Sequence, residues 1–141
     1  MEWTPPKIDW SGNMNGSTYT GDYFNYTDYN RIRNNLIFLI GYASSMYNVT
    51  QFQFGEEKTE TDLIFSDEFN SFENALSSIN SETYNYSYQK KEYFENGYTP
   101  NFDDLNRIEG LMLKIYKTLV AQKEAQRRLA FTLGGQKGIK V

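Results

Sequence analysis

Apolar residues recur at alternating steps of three and four positions in three stretches, covering residues 26–47, 66–80 and 102–131. An apolar seam of this spacing is typical of helices that pack on other helices. The pattern therefore predicts three helices, and Ser66 is expected to cap the second one. The predicted core contains Tyr29, Ile32, Leu36, Leu39, Phe69, Phe72, Leu76, Ile108, Met112 and Ile115.

The third predicted helix is longer than a small domain is wide. Thirty residues at 1.5 Å rise per residue span about 45 Å. Its seam weakens at Gln122 and Gln126, where the chain becomes helical in propensity but mostly polar. Gly134 and the glycines after it favour a helix end. We therefore expect residues 121–141 to form either a projecting helix end with a short basic tail or a solvated end.

The segments between the predicted helices have a different character. Pro5-Pro6 and the turn-forming "SGNMNGS" favour an irregular N-terminal segment. Residues 48–65 contain the alternating "VTQFQF", which fits a short strand or an extended loop. The predicted fold class is mainly α: a small bundle of about three helices with minor β or extended segments. Its parts would be an extended arm (1–24), a helical core (25–120) and the C-terminal end.

Two groups of aromatic residues lie outside the predicted helices. Trp3 and Trp10 are too apolar to be left in water, so they are expected to fasten the arm onto this domain or onto a partner. Tyr84, Tyr86 and Tyr88 alternate, which would place all three on one face of an extended segment. Core packing of that face is slightly favoured over a strip that contacts another protein.

Composition removes several kinds of chemistry. The chain has no Cys and no His, so thiolate chemistry, Cys/His zinc sites and His-based catalytic arrangements are excluded. Adjacent acids such as Asp67/Glu68 and Asp103/Asp104 are the candidates for a pair of catalytic carboxylates. Neighbours on a helix face different directions, however, and acids commonly occupy a first turn. We expect no enzyme activity, no cofactor, no metal and no small-molecule ligand.

Charge is unevenly distributed along the chain. Residues 1–101 hold 6 basic and 14 acidic residues (−8), and residues 102–141 hold 8 basic and 4 acidic ones (+4). These are either solvated surfaces or two ends that attract neighbouring copies. The overall charge of −4 disfavours general nucleic-acid binding. The longest apolar run, in residues 36–43, is far short of the ~20 residues of a membrane span, and no signal-peptide pattern opens the chain, so a soluble protein is expected.

One phrase occurs twice, as "NYTDYNRIRNN" from Asn25 and "NFDDLNRIEGL" from Asn101. Each copy is a good helix start, because the Asn can cap and the Asp three residues later can complete a capping box. The Ile of each copy belongs to the seam, so Arg31 and Arg107 lie beside the seam. An intramolecular clamp on the preceding segment is the favoured role of these guanidinium groups, ahead of direct contact with a partner.

The repeated phrase also carries a resemblance. A Trp–Pro lead, an Asp-Trp and a "D-[LY]-N-R-I-[ER]" helix start resemble the N-terminal segment of many tail and baseplate proteins in phages of Gram-positive bacteria. The matching stretches are "WTPPKIDW", "DYFNYTDYNRIRNNLIFL" and, more weakly, "YTPNFDDLNRIEGLML", about a third of the chain. The resemblance implies a virion structural protein that docks on the tail tip or links it to a fibre, without enzyme activity or cofactor.

This chain departs from that pattern in three ways. Arg33 stands where Glu is usual, whereas the second copy has Glu109. The second copy lacks a Trp-containing lead, and no Gly-rich fibre follows. These departures favour an adaptor or baseplate subunit over a host-recognition protein.

We therefore expect a homo-oligomeric virion protein that binds other tail or baseplate proteins. The alternatives are a head–tail connector lining a DNA channel, a host-derived regulatory or scaffolding module, and a lysozyme-like enzyme. In the connector, the DNA contacts would come from Lys123, Arg127, Arg128, Lys137 and Lys140. The residues predicted to contact partners are Trp3, Trp10, Arg31, Tyr84, Tyr86, Tyr88, Arg107, Arg127 and Arg128.

Overall fold

The structure, a computed structural model, describes residues 2–95 and 100–135. In the last helix the side chains are described as far as Thr132. Its elements are β1 (Gly12–Asn15), β2 (Thr18–Gly21), α1 (Tyr26–Ser44), α2 (Ser66–Glu82) and α3 (Phe102–Gly135). The predicted fold class, a small mainly helical bundle with a long C-terminal helix, is confirmed. None of the described helices combines the length and the apolar character needed to cross a membrane.

The three helices run parallel. Near the starts of α1 and α2, the Tyr29 hydroxyl donates to Glu68 at 2.8 Å. Just beyond the ends of these two helices, Tyr47 and Tyr84 both donate to Gln122 of α3, at 2.9 and 2.5 Å. The starts of α1 and α2 therefore lie side by side, and the ends of both helices contact α3 about twenty residues after its start. The connections return the chain to the same end each time, and we call this end, which holds the three helix starts, the head.

The core lies along the seams of the three helices. All ten residues predicted for it are buried, so that prediction is confirmed. Segments outside the helices add further large side chains to the same core: Trp10, Val49 and Tyr93. The irregular parts of the chain are thus packed on the bundle.

Two local predictions were wrong, and one alternative was settled. The arm is not irregular throughout, because β1 and β2 pair as an antiparallel hairpin whose turn contains Gly16 at φ +69°. The cap of α2 is Phe65, not Ser66; its backbone N–H donates to Glu68 at 3.0 Å. The alternating segment 49–54 is an extended loop, since the described residues offer it no partner strand.

α3 continues well past the other two helices. Gln122, which accepts hydrogen bonds from Tyr47 and Tyr84, lies at the end of the core. Every described side chain from residue 125 to residue 132 is exposed. Leu129 and Phe131 are 61% and 84% exposed. The described helix runs beyond Phe131 to Gly135, within the glycine-rich stretch from Gly134 that was predicted to end it. The rest of the predicted basic tail, residues 136–141, lies outside the described residues.

Candidate assembly site

Both copies of the repeated phrase form the capping boxes that the sequence predicts. The Asn25 side chain accepts hydrogen bonds from the backbone N–H groups of Thr27 and Asp28, and Asp28 accepts one from the N–H of Asn25 at 3.0 Å. Asn101 and Asp104 make the corresponding reciprocal pair at 2.9 and 3.1 Å. The two helix starts are therefore built alike.

A third, degenerate copy of the phrase, which was not predicted from the sequence, lies at the start of α2. It reads "FSDEFNSFE" from Phe65 to Glu73. All three copies share an acid, a large apolar residue and an asparagine at the third, fourth and fifth positions after the cap. These residues are "DYN", "EFN" and "DLN". The copy was missed because Phe replaces the capping Asn and Ser71 replaces the Arg.

The asparagine of each copy clamps the backbone of one residue outside the helices. Its side-chain amide accepts from that residue's N–H and donates to that residue's C=O, as a neighbouring strand would. These pairs are Asn30 with Lys58 (2.7 and 2.9 Å), Asn70 with Tyr93 (2.7 and 2.8 Å) and Asn106 with Trp10 (2.8 and 3.1 Å).

The three clamps form a closed cycle. Lys58 lies in the segment leading into α2 and is held by α1, while Tyr93 leads into α3 and is held by α2. Trp10 leads into α1 and is held by α3. The head thus has three corresponding sectors linked in a cycle, and we name them after Trp10, Lys58 and Tyr93.

In the Trp10 sector a buried carboxylate joins the arm to two helices. Glu109, which is 0% exposed, accepts two hydrogen bonds from Arg31, both at 2.7 Å. It also accepts from the indole Nε1 of Trp10 at 2.9 Å and the backbone N–H of Lys7 at 3.2 Å. Arg31 bonds Asp28 as well. Burial lowers the pKa of Arg31, but the hydrogen bonds to the two carboxylates outweigh it and the net pKa is raised.

The Tyr93 sector repeats this arrangement. Glu73, also 0% exposed, is forked by the Arg107 guanidinium and accepts from the Tyr93 hydroxyl at 2.6 Å. The Tyr88 hydroxyl donates to the same carboxylate. Burial acts to lower the pKa of Arg107, yet the hydrogen bond to Glu73 raises it overall. Glu73 and Glu109 each lie eight positions after a helix cap. Each buried carboxylate pairs with an arginine of a neighbouring helix and accepts a hydrogen bond from an aromatic side chain of the preceding segment.

The Lys58 sector lacks this ion pair because neither of its two positions carries the residue found in the other sectors. Arg33 stands at the carboxylate position and Ser71 at the arginine position. Lys58 supplies the cation instead, with its Nζ 2.7 Å from Glu68. A cavity of about 360 Å³ lies at this place, lined among others by Ser71, Lys58 and Glu68. Arg33 turns away to donate to the carbonyl of Gly55 at 2.7 Å.

Combining Arg33→Glu with Ser71→Arg is expected to complete the Lys58 sector. Either change alone places like charges near each other, a guanidinium at position 71 beside Arg33, or a carboxylate at position 33 near Glu68. In the double variant the new groups can pair as in the other two sectors. We expect a favourable coupling free energy of about 1–2 kcal/mol from a double-mutant cycle of denaturant unfolding. Coupling near zero would contradict the equivalence of the three sectors.

Buried tyrosines make the head sensitive to alkali. Burial first, and then the neighbouring carboxylates Glu68 and Glu73, raise the pKa of Tyr29, Tyr88 and Tyr93. A raised pKa in the folded state contributes stability that is complete below the unfolded value of about 10 and is lost as the pH rises above it.

Alkaline unfolding should therefore accompany tyrosinate formation. In an ultraviolet absorbance titration, a group of tyrosines in the native chain should ionise only as the circular dichroism signal is lost, above about pH 10. The urea-unfolded chain serves as the control, since all of its tyrosines titrate together. Superimposable native and unfolded titration curves would contradict the prediction.

The structure places the arm on its own domain. Trp3 stacks on Tyr116 with ring centroids 4.1 Å apart, and Trp10 is buried. Between them, the buried Asn35 clamps the backbone of Thr4 at 2.9 and 2.7 Å. Of the two alternatives for the tryptophans, attachment to this domain is the one observed.

The tyrosine strip also faces inward. Tyr84, Tyr86 and Tyr88 are partly buried against the core. The Tyr86 hydroxyl lies 2.6 Å from that of Thr118 in α3, while its two neighbours bond Gln122 and Glu73. Core packing, the slightly favoured alternative, describes these contacts.

Arg31 and Arg107 make the intramolecular clamps described above, whereas Arg127 and Arg128 are exposed on the free end of α3. The side chains of these last two are 75% and 80% exposed and lie 3.6 and 3.3 Å from Glu124. A role in binding partners stays a prediction for all nine residues named in the sequence analysis. Sequence reasoning missed Glu73 and Glu109, the carboxylates that accept hydrogen bonds from Arg107 and Arg31. Both lie eight residues after a helix cap, and this shared position is recognised only when the three copies of the phrase are aligned.

The described surface leaves one helix segment without contacts to the rest of its domain, the end of α3. Comparisons of the chain with protein-family models, with curated proteins and with solved structures find no match. Function is therefore inferred from the three sectors, the exposed helix end and the resemblance of the repeated phrase.

Proposed function

We propose that the chain is a structural subunit of a phage tail or phage-tail-like particle, an adaptor or baseplate component that works by protein–protein assembly. The exposed end of α3 is the observation that carries this proposal. The side chains of Leu129 and Phe131 are exposed to solvent there, as are those of Arg127 and Arg128. A projecting helix with large apolar side chains and no domain beneath it is typical of a segment that binds another protein.

The construction of the head agrees with this role. The phrase that resembles tail and baseplate proteins supplies the caps, the backbone clamps and the arginines of the sectors. Glu73 and Glu109 are buried and already accept several hydrogen bonds each. These carboxylates stabilise a rigid scaffold, as an assembling subunit requires.

The proposal is tested by following the chain in particles from the bacterium that encodes it. Particles are released, separated on a density gradient and analysed by quantitative mass spectrometry. The chain should sediment with the tail proteins at a constant copy ratio. A chain found only in the soluble fraction would contradict the proposal.

A truncated variant provides a matched control for the contact surface. Ending the chain after Lys123 removes the exposed helix end but keeps Gln122, which closes the core. This variant should keep the melting temperature of the full chain and be lost from the particles. Retention of the truncated chain at the full copy ratio would show that the end of α3 is not the contact.

A further inference from the structure

We infer that copies of this chain join head to tip, the exposed end of α3 in one copy docking into an apolar cleft on the head of the next. The tip is residues 124–132, and the head cleft lies between the starts of α2 and α3. The inference rests on the proposed function for the role of assembly and adds the partner, a second copy of the same chain.

The head cleft is an open apolar site. It has a volume of about 320 Å³ and lies where the phenylalanine cap of α2 meets the first turn of α3. Phe65 is 55% exposed at its mouth, and Leu63 beside it is 70% exposed. The apolar lining residues are Phe24, Ile64, Phe65, Phe69 and Leu105.

The segment that leads to the cleft is strongly acidic. Residues 55–67 contain five acidic residues and one lysine, a net charge of −4. All five acids are exposed, and the lysine is engaged by Glu68. The acidic residues are Glu56, Glu57, Glu60, Asp62 and Asp67.

The tip has the complementary character. Residues 124–132 hold two basic residues and one acid, a net charge of +1. Leu129 and Phe131 are the two most prominent apolar groups of the tip, at 61% and 84% exposure. Each surface thus pairs two exposed large apolar side chains with charge of opposite sign. Burial of the apolar groups would supply affinity, and the charges would steer approach and orientation.

The tip of one copy cannot reach the head cleft of the same copy. The head lies at the helix starts, and the tip lies beyond Gln122 at the other end of a parallel bundle. Contact between unlike surfaces of identical subunits is heterologous, so it closes into a ring or extends into a filament. A self-limiting dimer through two identical patches is not expected.

A mixing experiment tests this arrangement. The head variant Phe65→Asp keeps its tip, and the tip variant Leu129→Asp/Phe131→Asp keeps its head. By light scattering, the native chain should grow in mass with concentration, and each variant alone should stay monomeric. An equimolar mixture should double in mass and stop at the dimer, because only one pair of intact surfaces remains.

The substitutions are chosen so that folding is not the cause of a loss. Phe65 is the cap of α2 with extended backbone (φ −105°, ψ 157°), where aspartate is a favourable capping residue. Both tip positions are exposed. Met14→Asp, at a 66% exposed site on the hairpin, is the matched control and should leave assembly unchanged.

Several results would overturn the inference: self-association of the head variant alone, a mixture that remains monomeric, or a native chain that is monomeric at every concentration. In the last case, co-sedimentation with tails would still support the proposed function, with another protein as the partner. Conversely, a chain that passes the mixing test but is absent from particles would overturn the proposed function and support the head-to-tip contact.

Discussion

Replacing Glu73 with alanine is expected to lower the free energy of unfolding by about 3–5 kcal/mol, because it removes the buried carboxylate that is the main counter-charge of Arg107 and leaves only the longer ion pair with Asp104 at 3.6 Å. Glu73 is fully buried and holds the Arg107 guanidinium together with the hydroxyls of Tyr93 and Tyr88. The substitution therefore removes the common acceptor of three side chains. A cavity is left as well, which adds to the cost.

Urea unfolding followed by circular dichroism measures this loss. Glu124→Ala is the control, since Glu124 pairs with two arginines on the exposed end of α3 and should cost less than about 1 kcal/mol. Glu109→Ala should behave like Glu73→Ala if the sectors are equivalent. A loss below about 1 kcal/mol for the Glu73 substitution would mean that the buried carboxylate is not what holds the Tyr93 sector.

Asn106→Ala is expected to cost about 2–6 kcal/mol and to loosen the N-terminal arm more than the helices. The asparagine is bonded to both the N–H and the C=O of Trp10, whose side chain is only 4% exposed. Leaving two backbone groups without partners near the core costs roughly 1–3 kcal/mol for each. The arm then keeps the bond of the Trp10 indole to Glu109, the stack of Trp3 on Tyr116 and the Asn35 clamp on Thr4.

Amide hydrogen exchange separates this effect from general destabilisation. Protection of the Trp10 amide should fall further than that of amides in the middle of α1. Asn74→Ala is the matched control, because the Asn74 side chain accepts only an exposed hydrogen bond from Lys90. Equal loss of protection along the arm and the helices would contradict a local clamp at this position.

The backbone clamps explain a feature of the composition that helix caps alone do not. Among the residues that the structure describes, five asparagines each hold the N–H and C=O of one non-helical residue: Asn30, Asn35, Asn70, Asn80 and Asn106. A parallel three-helix bundle needs long return segments, and their backbone groups must find partners near the core. Side-chain amides projecting from the helices provide those partners without a sheet.

Sequence alone determined the helices and their buried faces. The steps of three and four identify an apolar stripe wherever it occurs, because helical periodicity is a local property. The ten predicted core residues and the two capping boxes depend only on near neighbours, and all are observed. The uneven charge left two alternatives open, solvated surfaces or two ends that attract neighbouring copies, and the second stays a prediction.

Only the tertiary structure decided which groups meet across the bundle. Glu73 and Glu109 read as ordinary helical acids, and their buried roles arise because arginines 34 and 78 positions away approach them in space. The parallel direction of the helices and the cyclic clamping are likewise set by long-range packing. Such contacts depend on how the connecting segments return, which the local periodicity of a sequence does not specify.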